Sequence, residues 1–159
     1  MVIAIASGKG GTGKTTVAVN LARVLGDVQF LDCDVEEPNA HLFLKPDLAE
    51  RIPARVMVPE IIEEKCTYCG KCAEVCAFNA IAVIAPKDAL KGSVLVFPNL
   101  CHSCGGCFLL CPEGAIREVP REIGVVETGR AGAVRFVHGR LNVGEAMSPP
   151  LIRQVKKHV

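Results

Sequence analysis

The chain opens on five consecutive apolar residues, Val2-Ile3-Ala4-Ile5-Ala6, with no polar position among them. So short a run, rich in β-branched side chains, predicts a strand covered on both faces, as in a parallel sheet. A polar, glycine-rich stretch follows. Val17, Val19, Leu21, Ala22, Val24 and Leu25 then recur up to Gly26, which predicts an apolar helix ended by glycine. Val28-Gln29-Phe30-Leu31 predicts the next short strand, ending at Asp32-Cys33-Asp34. Much farther on, Val125-Val126 and Ala133 to Val137, broken at Gly129, Gly132 and Gly139, predict a short hairpin system. Leu151 to Lys157 predicts a short terminal helix.

Composition narrows the class. Of 159 residues, 50% are hydrophobic and 22% charged, with a formal charge of +1, so the chain can bury a core and is not a disordered segment. No apolar run approaches the ~18 residues of a membrane span, and no basic leader precedes Met1 to Ala6 as in a signal peptide. A cytoplasmic location is expected, where thiols stay reduced and closely spaced cysteines read as metal ligands before disulfides. Charge is uneven: residues 1–62 sum to −2, 63–119 to −1 and 120–159 to +4. The basic end, Arg153, Lys156 and Lys157, has no interleaved aromatic residues. It reads as a solvated helix face rather than a nucleic-acid or membrane surface.

The glycine-rich stretch carries chemistry. Gly8-Lys9-Gly10-Gly11-Thr12-Gly13-Lys14-Thr15-Thr16 contains G-x-x-x-x-G-K-T between the predicted strand and helix, the context a phosphate-binding loop requires. Glycines let successive backbone N–H groups turn toward phosphate oxygens, and the helix N-terminus adds partial positive charge. Lys14 then suits the terminal phosphates of a nucleotide, and the Thr15 hydroxyl suits Mg2+. Asp32 and Asp34, at a strand's C-terminal end, fall on the ligand side of a doubly wound sheet.

Eight of the nine cysteines lie between Cys66 and Cys111. Cys66-x-x-Cys69-x-x-Cys72-x-x-x-Cys76 repeats, 35 residues later, as Cys101-x-x-Cys104-x-x-Cys107-x-x-x-Cys111, and Gly70, Ala80 and Ile81 repeat with it as Gly105, Ala115 and Ile116. The segment is an internal duplication. Three thiolates on one tight loop suit an iron-sulfur cluster, whereas zinc sites pair two short hooks and need only four thiolates. Cys33 stands apart and reads as a small buried residue. Tyr68, Phe78, Ile81, Phe108 and Ile116 are expected to pack around the sulfurs, and His102 to lie at the surface. Met147 is expected in the core.

Both motifs carry resemblances. Lys9 within G-K-G-G-T-G-K-T-T resembles the deviant P-loop of the MinD/ParA and nitrogenase iron-protein family. That resemblance implies an ATP-dependent homodimer in which Lys9 reaches the partner's nucleotide, with Asp34 on magnesium and the attacking water, and Asp32 in support. The cysteine spacing resembles two-cluster bacterial ferredoxins. It implies one 4Fe-4S cluster on Cys66, Cys69, Cys72 and Cys111, and a second on Cys101, Cys104, Cys107 and Cys76. Cys76 is followed by Ala77 where the ferredoxin motif has proline, as at Pro112, which affects rigidity more than ligation.

Together the expectation is an α/β protein: a partial parallel P-loop sheet with an inserted α+β ferredoxin domain. Residues 1–62 form the first part of the nucleotide-binding domain, 63–119 the insert and 120–159 the return. The family's later apolar strand ending in aspartate has no counterpart, so the chain is expected to be the N-terminal part of a longer ATPase, inactive as given. The function expected is coupling of ATP hydrolysis to electron transfer with a redox partner protein. Alternatives are an iron-sulfur cluster carrier serving an acceptor protein, and a ferredoxin with an inert nucleotide module.

Overall fold

A computed structural model describes residues 1–86 and 91–159. Its elements are α1 (Lys14–Leu25), β1 (Gln29–Asp32), α2 (Ala40–Leu44), β2 (Asp47–Ile61), α3 (Lys71–Glu74), β3 (Ile81–Ile84), β4 (Ser93–Val96), α4 (Gly106–Leu109), β5 (Ile116–Ala131), β6 (Val134–Leu141) and α5 (Pro149–Lys156). One sheet has the order β1-β6-β5-β2 and a second pairs β3 with β4. Contacts divide the chain into two compact units: residues 1–54, 123–143 and 148–159 form the first, and 55–122 with 144–147 the second.

In the first unit the fold is mixed α/β. Strand β1 runs parallel to β6 with Asp32 opposite His138. Strands β5 and β6 are antiparallel, from Gly124 opposite Leu141 to Ala131 opposite Val134. The loop closing that hairpin is Gly132-Ala133, with Gly132 at φ 59°, where a two-residue hairpin turn favours glycine. The predicted hairpin is thus present, but the sheet is only partly parallel. Val19 of α1 and Ala40 and Leu44 of α2 bury against Phe136 of β6, with Phe30 and Ala131 beside them. Phe30 and Phe136 stack at 5.9 Å. The terminal helix α5 buries Leu151 and Val155 completely, while Arg153, Lys156 and Lys157 stay exposed, as a solvated face requires. It begins at Pro149, two residues earlier than predicted, because proline suits the first helical turn.

The predicted strand Val2–Ala6 is absent. Val2 and Ile3 are exposed and, among the described residues, no neighbour pairs with this run. Apolar side chains alone do not make a strand, whose backbone N–H and C=O groups need a ladder partner. Conversely, β2 was not foreseen. Ala54, Val56 and Val58 point inward between exposed Arg55 and Met57, a period-two signal masked by Pro53 and Pro59.

The second unit shows the duplication in its backbone. A 3-10 turn at Glu63–Lys65 recurs at Pro98–Leu100, and α3 recurs as α4, each 35 residues on. Ala80 and Ile81 are as buried as Ala115 and Ile116. The two copies also exchange bonds: Ile62 N–H donates to Ala115 O at 2.8 Å, and Phe97 N–H donates to Ala80 O at 2.8 Å. Each copy thus holds the other through equivalent atoms. Phe78 and Phe108 depart from the expected packing, being 40% and 43% exposed, so shielding falls to the buried isoleucines. Among the described residues no helix is long and apolar enough to cross a membrane.

Candidate functional site

The loop from Ser7 to Gly13 is exposed and held by its own side chains. The Lys9 carbonyl accepts from Ser7 Oγ at 2.9 Å, Thr12 Oγ1 at 3.3 Å and Lys14 Nζ at 3.4 Å. Thr12 Oγ1 also donates to Ser7 Oγ at 2.7 Å. Gly11 and Gly13 have φ of 70° and 82°, and a Cβ at Gly8, Gly10, Gly11 or Gly13 would meet nothing within 4 Å. The backbone is therefore bare over the loop, which leads directly into α1 through Lys14, Thr15 and Thr16. That arrangement lets N–H groups reach an anion.

Asp32 and Asp34 differ in kind. Asp32 is buried, and its Oδ1 accepts from Asp34 N–H at 3.1 Å while Oδ2 accepts from Ala40 N–H at 3.2 Å. It ties the segment after β1 to the start of α2. Asp34 is exposed, its carboxylate open to a cation. Cys33 between them is half-buried, not fully buried as its small size suggested, and burial raises its thiol pKa.

All nine cysteines are free thiols. Among the described residues no three His, Cys, Asp or Glu side chains converge tightly enough for a single metal ion. The second unit instead has two hollows. One is lined by Cys66, Cys69, Cys72 and Cys111. The other is lined by Cys76, Cys101, Cys104 and Cys107. Three cysteines of one repeat and the fourth of the other thus meet at each.

The repeats build these walls by bending the backbone sharply. Tyr68 and Ser103, 35 residues apart, have φ of 56° and 54°, as does the Asn79–Gly114 pair at 51° and 56°. A non-glycine residue there costs about 1–2 kcal/mol, which the surrounding packing must offset. The bend aims N–H groups at sulfur: Ala80 donates to Cys76 Sγ at 3.3 Å, Ala115 to Cys111 Sγ at 3.3 Å and Ser103 to Cys101 Sγ at 3.4 Å. Such bonds stabilise thiolate charge. Burial pushes the Cys72 thiol up and, one repeat on, the Cys107 thiol too, against backbone hydrogen bonds that lower both.

Three features escaped sequence reasoning. Ser103 Oγ is buried at the second hollow with no partner. His102, exposed as expected, stacks on Phe78 at 3.5 Å between ring centroids. In the first unit, His138 and Glu127 form a buried pair at 2.9 Å, with His41 edge-on to His138. No motif spacing marks that pair; only the β5–β6 register, which sets Glu127 opposite His138, could have found it.

Comparison with known proteins shows a nucleotide-binding family and, among partial matches, relatives with iron-sulfur names. The family description "CobQ/CobB/MinD/ParA nucleotide binding domain" matches residues 3–147. An uncharacterised protein of Methanocaldococcus jannaschii is 37% identical over 163 residues, covering 99% of this chain and 54% of that protein. An iron-sulfur cluster carrier protein of Synechocystis is 53% identical over 47 residues, 27% of this chain and 13% of the carrier. A methylamine utilization ferredoxin-type protein of Methylorubrum extorquens is 36% identical over 75 residues, 43% of this chain and 34% of that protein. The chain spans about half the length of the curated relatives it matches along its whole extent.

Proposed function

Because this chain belongs to the CobQ/CobB/MinD/ParA nucleotide-binding family, we propose that it is an ATP-binding iron-sulfur protein whose nucleotide cycle governs electron transfer through two 4Fe-4S clusters. The observation that carries the reading is the pair of hollows, each walled by four free thiols drawn from both repeats. The residues fit the group. Backbone N–H groups already point at three of the sulfurs, and the orphan Ser103 Oγ offers one more donor.

Cys66, Cys69, Cys72 and Cys111 would hold one cluster, and Cys101, Cys104, Cys107 and Cys76 the other. When bound, such clusters supply reversible one-electron exchange. The protein's own part is to lose the Cys72 and Cys107 protons on binding, donate N–H groups to sulfur, and keep water away with Ile81 and Ile116. In the first unit Lys14 and the N–H groups of Gly8 to Thr16 bind ATP, and Thr15 and Asp34 bind Mg2+. Lys9 reaches the nucleotide of a second copy in a homodimer. A redox partner protein then receives electrons according to the nucleotide state.

A second reading, cluster delivery to an acceptor protein, is favoured by the similarity to the Synechocystis carrier. Eight internal thiols argue for retention instead. Reconstituting the chain anaerobically with iron and sulfide tests the first reading: about eight irons per chain are expected, falling to about four in Cys111→Ser. ATP should bind about 10- to 100-fold more weakly to Lys14→Ala, the loss of a charge-assisted hydrogen bond. Zinc retained in place of iron would overturn the cluster reading. Labelled iron passing to an apo acceptor on ATP addition would favour delivery.

A further inference from the structure

The duplication makes its own departures visible, because every residue lining one hollow has a counterpart 35 positions away. Val83 lines the first hollow, and its counterpart Glu118 lines the second. Lys71 lines the first and corresponds to Gly106; Glu113 lines the first and corresponds to Phe78. With histidine counted neutral, the first hollow carries one cation and one anion, and the second carries an anion alone. Glu118 Oε1 lies 3.7 Å from where a Cβ on Gly105 would stand, inside the Cys104–Cys107 loop.

Neighbouring charges do not cancel the difference. Arg117 pairs with Glu60, Lys91 with Glu63, and Arg121 binds Glu145 through both guanidinium nitrogens at 2.6 and 2.9 Å. Hydrogen bonding to Glu145 raises the Arg121 pKa, so the cation whose field reaches Cys101 is matched by the Glu145 carboxylate. Among the described residues no cation pairs with Glu118.

Adding an electron to a cluster makes it more negative, which a nearby carboxylate opposes and an ammonium favours. We propose that the two sites are built unequal, Glu118 holding the Cys101–Cys104–Cys107–Cys76 site at the lower potential and Lys71 the Cys66–Cys69–Cys72–Cys111 site at the higher. This rests on the two-cluster reading above. Of a single electron supplied by a one-electron reductant, the equilibrium share lies at the first site. Passage from the second to the first oxidises one cluster and reduces the other by one electron, with no further reactant.

The test is a redox titration of the full reconstituted chain, followed by electron paramagnetic resonance with dithionite as reductant, at fixed pH and low salt. Two midpoints are expected. Glu118→Gln should raise the lower midpoint and leave the higher one in place, and Lys71→Gln should lower the higher one alone. Both shifts should shrink at high salt, because both side chains are exposed and screened. One shared midpoint, or Glu118→Gln moving the higher wave or neither, overturns the proposal while leaving two clusters standing. Absence of cluster signals and of bound iron overturns the underlying reading as well. Both substitutions are at exposed positions, and iron content reports separately that each variant has loaded.

Discussion

Asp32 and Asp34 stand two residues apart with the same side chain, and their surroundings give them different work. Asp32 is buried with both oxygens on backbone N–H groups, so it shapes the loop, whereas Asp34 is exposed, and the proposed magnesium role falls to it. Asp32→Ala should lower stability by about 1–3 kcal/mol, since it strands two N–H groups; urea unfolding measures this. Asp34→Ala should leave the urea midpoint unchanged while reducing Mg2+-dependent ATP binding. Equal loss of stability in both variants would refute the division. Family resemblance singled out Asp34, the aspartate that the fold leaves exposed; D-x-D alone does not reveal which carboxylate is buried. The His138–Glu127 pair was illegible for a related reason: it joins residues on two strands, and only their register brings them together.

At the scale of elements, periodicity was readable where an element needs only itself and misleading where it needs a partner. Helix α1, the β5–β6 hairpin and α5 follow their local patterns, with glycine or proline at their ends. The run Val2–Ala6 has the composition of a central strand, yet no described strand pairs with it. Close packing of elements is equally hidden from sequence. Gly139 of β6 lies under α5, where an added Cβ would stand 2.7 Å from Val155 Cγ2 and 2.8 Å from Val35 Cγ1. In the sequence it reads only as a break in a hairpin. Gly139→Ala should therefore cost about 1–3 kcal/mol by overpacking, seen as a lower urea midpoint. An unchanged midpoint would mean that α5 yields freely.

Over the whole molecule, the most legible feature is the 35-residue duplication, because cysteine spacing within a few residues is written directly in the chain. The structure repeats it in turns, helices, positive φ values and exchanged hydrogen bonds, and each four-cysteine hollow draws on both copies. The inequality between the copies was less legible: Glu118 stands outside the cysteine motif, and its place at the second hollow comes from the course of β5. The glycine-rich loop and the two four-cysteine hollows sit in separately packed units, so the central claim of the proposed function is that nucleotide at the first alters clusters at the second. The direct measurement is an anaerobic electron paramagnetic resonance spectrum of the reduced, reconstituted protein with and without Mg-ATP, alongside Lys14→Ala. The account predicts two 4Fe-4S signals that change on adding Mg-ATP to the native sequence and stay fixed in Lys14→Ala. Signals identical with and without nucleotide in the native sequence, under conditions where ATP is bound, would contradict it.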